Sequence, residues 1–195
     1  MKKMINPKTE KYFTVSRVIL ETIEKDGLNN LTHSLISRKA QVSRAWIYEY
    51  MGKDKQDLID VASEIFGGFF TKTDNNIEIN SKADLLELLA VGNNLTFLKI
   101  KSEPVIIKLY YRFRGTSTPI GIVIKKYEKH WLDFMSENIG RILKFDQTKS
   151  LSISKTILTL RLGFSFRIAT SSVPAKELVD ASQSLEQAVL NILSL

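Results

Sequence analysis

Residues 31–55 read LTHSLISRKAQVSRAWIYEYMGKDK, and the pattern is two short helices, a tight turn and the start of a third helix. Thr32 supplies a hydroxyl able to cap the first helix. Leu35, Ile36 and Ala40 then share one face at three- and four-residue spacing. Gln41-Val42 makes the turn, and Ser43 has the chemistry of a second cap. Beyond it Arg44, Trp46, Tyr48 and Tyr50 surround a single clear core residue, Ile47. A helix of seven or eight residues has too few turns to be stable alone. One that presents Arg, Trp and Tyr while anchored by so little apolar surface is built for contact. In a helix-turn-helix, the second helix is the one laid in the DNA major groove.

The run Gly27, Leu31-Thr32, Ile36, Ala40, Val42-Ser43, Ile47-Tyr48, Tyr50, Lys55 and Leu58 resembles the DNA-binding domain of TetR-family transcriptional regulators. The match covers about the first third of the chain and fixes residue types at many spaced positions. Three departures stand out: Gln41 occupies the place of a turn glycine, Met51 replaces a Phe, and one extra residue lies within Met51-Gly52-Lys53-Asp54 ahead of Lys55. The resemblance implies that Tyr48 and Lys55 hold phosphates. It also implies a homodimer bound to double-stranded DNA and a carboxy-terminal domain that binds a small molecule.

Charge agrees with a nucleic-acid partner. Of a net +7 over 195 residues, residues 1–55 carry 11 Lys/Arg against 6 Asp/Glu, a net +5. The excess sits beside the second motif helix, as a phosphate-binding surface requires. With no Cys, disulfides, thiolate nucleophiles and thiolate metal sites are excluded together. The two histidines, His33 and His130, are far apart in the chain, and there is neither a glycine-rich phosphate loop nor a carboxylate–His motif. These features argue against an enzyme, a metal centre and a bound cofactor. No uninterrupted apolar run approaches the length of a membrane span, and the basic start MKKMINPKTEKYF has no apolar stretch behind it. A cytoplasmic protein is expected.

Sorted by reach, Arg44, Ala45 and Trp46 occupy the first turn of the second motif helix, where base edges are met. Arg44 has the fork for guanine and Ala45 a methyl for thymine. Trp46 has two roles open to it, packing on sugar and thymine or folding back onto the small core. Thr32, His33, Tyr48, Tyr50 and Lys55 are suited to phosphates, which fix position without reading sequence. Ser34 lies close enough to reach a base, and Ser43 caps.

The rest of the chain reads as an all-α fold. Asn6-Pro7 opens a first helix with Val15, Val18, Ile19 and Ile23 inward, closed at Asp26-Gly27. Asp54 stands at the head of a helix carrying Leu58, Val61, Ala62, Ile65, Phe66 and Phe69, with Gly67-Gly68 marking a kink or fraying near its end. That helix is expected to leave the DNA-binding unit, which places the boundary between a domain of residues 1–54 and one of 55–195. The polar stretch Thr71–Asn80 reads as a loop, and Ser81 with Asp84 makes a capping box. Further helices follow from Ser81, from Ser102-Glu103-Pro104 to Gly115, from Thr118-Pro119, and from about Lys149 to Thr170. Ser172-Val173-Pro174 breaks the chain before a last one.

The 149–170 helix carries two apolar stripes, with Ile153, Ile157, Leu160, Phe164 and Ile168 on one and Leu158, Leu162 and Ala169 on the other, while Gly163 lets a neighbour approach. The last helix adds Leu178, Ala181, Leu185, Ala188, Val189 and Ile192. A helix apolar on more than one side must be covered on more than one side. A second subunit is the simplest cover, through a four-helix interface of Ile157, Leu160, Phe164, Ile168, Leu178, Leu185, Val189 and Ile192. The other solution fills both stripes within one subunit. For a small apolar ligand, the large or polar residues on apolar stretches are the candidates: Asn93, Phe97, Tyr110, Tyr111, His130, Trp131 and Phe134.

The function this implies is a ligand-released repressor binding a palindromic operator as a homodimer. A second reading keeps the TetR-like fold as a DNA-bound scaffold controlled by a protein partner, with no small-molecule pocket.

Overall fold

A computed structural model describes residues 7–71, 78–170 and 175–193. The helices are α1 (Pro7–Asp26), a 3-10 turn (Leu28–Asn30), α2 (His33–Ala40), α3 (Arg44–Tyr50), α4 (Lys55–Thr71), α5 (Lys82–Ser102), α6 (Val105–Phe113), α7 (Pro119–Leu143), α8 (Gln147–Thr170) and α9 (Ala175–Leu193). No strand occurs among the described residues, so the all-α expectation holds. The expected cap at Asn6, the middle of the 71–80 loop and the break at Ser172-Val173-Pro174 lie outside the described residues. Gly67 and Gly68 do not interrupt α4, which runs through both to Thr71.

The chain forms two compact units. One takes the chain up to Phe69 together with Leu109–Ile124, and the other takes Phe70–Lys108 with Lys125–Leu195. The division falls near the end of α4, between Phe69 and Phe70, whereas the sequence-based expectation put a domain boundary at 54/55. The reason is burial. Leu58, Ile59, Ala62 and Phe66 on α4 are at most 5% exposed, and that apolar face makes α4 part of the first unit's core. The return of 109–124 to the first unit is a tertiary event with no local signature.

In the first unit Val15, Ile19, Leu20 and Ile23 on α1 are buried, as are Leu31, Ile36, Ile47 and Met51 from the motif. Met51, standing where a Phe was expected, is 2% exposed and fills that core position. In the second unit α5, α8 and α9 pack against one another. Ser81 caps α5 by accepting from Asp84 N–H at 3.1 Å, and the Asp84 carboxylate accepts from the N–H groups of Ser81 and Asn80, each at 2.8 Å. The expected capping box is present. Lys82 donates to the carbonyl of Leu193 at 3.4 Å, tying the start of α5 to the end of α9.

One expectation is corrected here. Ile157, Ile168, Leu185 and Val189 were expected to face a second subunit, yet they are 0%, 5%, 0% and 1% exposed within this chain. They are the core shared by α5, α8 and α9. Periodicity identifies an apolar face but not which helix covers it, and here that stripe is covered from within. Leu160, Phe164 and Ile192 are half-buried, and Leu178 has no described side chain. The open side of α8 is elsewhere: Gly163 and Phe166 are exposed, and a side chain added at Gly163 would meet nothing within 4 Å.

Candidate nucleic-acid interface

The geometry of α2 and α3 starts from their caps. Thr32 accepts from Leu35 N–H at 3.2 Å and Ser43 from Trp46 N–H at 3.1 Å, each satisfying a donor the helix cannot use. Between them Gln41 takes a left-handed conformation, φ 54° and ψ 42°. That explains why a glycine suits this position. Ser37 locks the turn from both sides: its hydroxyl donates to the carbonyl of Val42 at 2.6 Å, and its carbonyl accepts from Val42 N–H at 3.1 Å. Ile47, fully buried, pins α3 to the core.

With Ile47 inward, Arg44, Ala45 and Tyr48 face solvent. Arg44 Nη1 lies 3.4 Å from the hydroxyl of exposed Ser34, which brings the first turns of the two helices together. His33 is half-buried. Its ring stacks on Tyr48 with centroids 4.9 Å apart, and its Nε2 lies 3.2 Å from the carbonyl of Gly52. The imidazole thus braces the Tyr48 ring and the turn after α3. Lys55 is exposed and donates to the carbonyl of Asn29 at 3.1 Å, joining the head of α4 to the 3-10 turn. The extra residue before it leaves it on the first position of α4.

The two roles open to Trp46 resolve in favour of folding back. Its indole is half-buried, stacks on Tyr50 with centroids 5.0 Å apart, and carries the ammonium of Lys11 5.0 Å above the ring. Trp46 and Tyr50 thereby extend the core of this unit towards α1, and Arg44, Ala45 and Tyr48 remain the outward set. Ser37, Lys11 and Asn29, the partners that hold this surface, were not among the expected residues. Only the Ser37 contact is local enough to be sought in sequence, as a hydroxyl at a helix C-terminus.

The seven ligand candidates do not behave alike. Tyr110 and Tyr111 fall in the first unit, the former 2% and the latter 45% exposed. In the second unit His130 lies on the surface, contrary to expectation, because α7 turns that position away from its buried Trp131. Phe134 is half-buried. Asn93 and Phe97, one turn apart on α5, are 1% and 2% exposed, and Phe97 stacks near Phe164 of α8 with centroids 6.2 Å apart.

Among the described residues no group of His, Cys, Asp and Glu could hold a metal ion, and no helix is long and apolar enough to cross a membrane.

The chain combines a helix-turn-helix with a capped, outward-facing second helix and a helical bundle that follows it. The chain has the fold of TetR-family transcriptional regulators. A TetR-like transcriptional regulator from Rhodococcus sp. RHA1 matches with a TM-score of 0.72 at 14% identity, over 97% of this chain and 99% of that one. A protein from Syntrophomonas wolfei assigned to the same family gives 0.68 at 20%, over 96% of each chain. A TetR regulator from Legionella pneumophila gives 0.62 at 18%, over 95% and 98%. No family model and no curated protein matches the sequence.

Proposed function

We propose that the chain is a sequence-specific DNA-binding transcriptional regulator, a repressor that binds a palindromic operator as a homodimer and is released when a small molecule occupies its second unit. The observation that carries the reading is α3, a seven-residue helix anchored through Ile47 that turns Arg44, Ala45 and Tyr48 to solvent. An exposed Arg-Ala pair at the head of a helix braced from behind by Ile47, Trp46 and Tyr50 supports this reading. In the major groove Arg44 pairs with guanine and Ala45 packs on a thymine methyl. Tyr48, Thr32, His33 and Lys55 meet phosphates, the last from the head of α4.

Two copies place two such helices on one face of DNA, with half-sites about 34–36 Å apart. Support for the homodimer comes from the uncovered side of α8 and α9, where Gly163 meets open space, Phe166 is 43% exposed and Val179 is 55% exposed. Half-buried Leu160, Phe164 and Ile192 border that side on the same helices. This face replaces the interface expected from periodicity.

The test is selection of binding sites from random duplex DNA with the full chain, followed by titration of the winner at several salt concentrations. An inverted repeat should emerge, with affinity falling steeply as salt rises. Equal binding to random and selected duplexes would sink the reading. Sedimentation should give a dimer, and Phe166→Glu should give a monomer with weakened operator binding.

A further inference from the structure

On the face α5 turns towards α8, three features that folding alone leaves unexplained occur side by side. Asn93 is 1% exposed, and neither its amide oxygen nor its amide nitrogen has a hydrogen-bond partner. Arg161 reaches across from α8 and donates through Nη2 to the carbonyl of Gly92 at 2.7 Å and to the hydroxyl of Thr96. A guanidinium has five N–H donors, and these are the two acceptors it finds. Phe97 and Phe164 then stand one turn further along the two helices, forming an aromatic wall beside the polar groups.

Among the described residues Arg161 makes no ion pair with a carboxylate. Helix α8 contains no acidic residue, and the acids in the first two turns of α5 are Asp84, committed to the capping box, and exposed Glu87. Desolvation alone lowers the Arg161 pKa to about 10, with no carboxylate acting against it. Arg161 is half-buried, so its guanidinium is partly desolvated and keeps N–H donors that an incoming anion can use. The unpaired amide of Asn93, the residue after Gly92, is a buried polar group left without a bond, which is itself costly. One occupant that brings an anion to Arg161 and a polar edge to Asn93 would use the spare donors of the first and satisfy the second.

We propose that the α5–α8 seam is a binding site for a small, otherwise apolar carboxylate, its oxygens held by Arg161 and by the Asn93 amide N–H, its body against Phe97 and Phe164. A carboxylate matches the planar fork of a guanidinium with two parallel bonds. The apolar body follows from the aromatic wall and from the lack of any further unpaired polar side chain at the seam among the described residues. This deepens the reading of the chain as a ligand-controlled regulator and rests on it for its biological meaning, but not for its chemistry.

The experiment uses the full chain and matched probes: octanoate against octanamide, and 4-phenylbutyrate against its amide. At saturation at least one carboxylate should raise the melting temperature by roughly 3–6 °C, and its amide should not. The 15N–1H signal of Arg161 Nε, assigned with Arg161→Lys, should move with that probe. Arg161→Met should weaken binding by about tenfold or more, and Asn93→Leu should weaken it while leaving the preference for carboxylate over amide. If neither carboxylate outperforms its amide, or if the Arg161 signal stays in place through both titrations, the site is filled by water alone and the inference falls. The signal decides the matter even if Arg161→Met does not fold. Site selection on DNA is scored separately, so failure of the ligand site and failure of the regulator reading give different results.

Discussion

Arg112 of α6 donates from Nη1 to the carbonyl of Ile23 at 3.3 Å and to that of Glu24, at the C-terminal end of α1. The last carbonyls of a helix have no partner within it, and a guanidinium placed there satisfies them while complementing the helix dipole. The contact spans 89 positions of sequence and holds the returning segment 109–124 to the helix that braces the helix-turn-helix.

Arg112→Ala should therefore lower stability by about 1 kcal/mol, a value reduced by the exposure of the side chain. Arg112→Lys should recover part of it. The urea midpoint of the full chain measures this, and an unchanged midpoint would show the contact to be idle.

The turns on either side of α3 make opposite predictions. Gln41 sits in the left-handed region at φ 54°, so Gln41→Gly should stabilise the protein by roughly 0.5–1 kcal/mol. Gly52 has φ 101°, and a Cβ there would lie 2.2 Å from the Cβ of Asp57. Gly52→Ala should cost about 1–3 kcal/mol. It should also loosen His33, which bonds the Gly52 carbonyl. Thermal melts of the two variants moving in the same direction would contradict the turn geometry.

Arg44 and Trp46 are two residues apart and should fail in different ways. Arg44→Ala leaves the fold intact and relaxes preference at one base pair, a loss of roughly 1–3 kcal/mol of discrimination. Trp46→Ala removes the stack with Tyr50 and Lys11 and should lower the melting temperature while keeping the base preference of whatever protein remains folded. Binding-site selection and calorimetry on both variants separate the two. Lys55→Ala should weaken all sequences alike and reduce the salt slope by about 1.

The acid limb of stability should depend on Asp84. Its carboxylate accepts from the N–H groups of Asn80 and Ser81, and these bonds to the charged form hold its pKa below the ordinary carboxylate value. The unfolded chain then takes up the proton first. The contribution is complete above the unfolded value and is lost as pH falls through the lowered folded one. Asp84→Asn should flatten the stability–pH curve in that window and lower stability near neutrality, where the wild-type contribution is complete, the two curves converging at low pH. A wild-type curve with the same acid limb as the variant would refute this.

Much of the motif was legible because its signals are local. Thr32, Ser43 and Ser81 cap helices through bonds to N–H groups three residues away, and such bonds depend on residue type and spacing alone. The same holds for Val15, Ile19 and Ile23, buried on α1 at four-residue spacing, which matches a helical period. Trp46 was undecided in sequence because both of its faces were chemically acceptable. Its position was settled by Lys11, on a different helix.

What the amino-acid order determined unaided was the series of helices, their caps and the outward chemistry of α3, since each follows from interactions within about one turn. Tertiary packing decided the rest. It placed segment 109–124 with the first unit, turned the Ile157–Ile168 stripe inward against α5 and α9, and brought Arg161 of α8 to Gly92 and Thr96 of α5. Those outcomes depend on which apolar faces meet, and a periodic pattern states that a face must be covered without naming its cover.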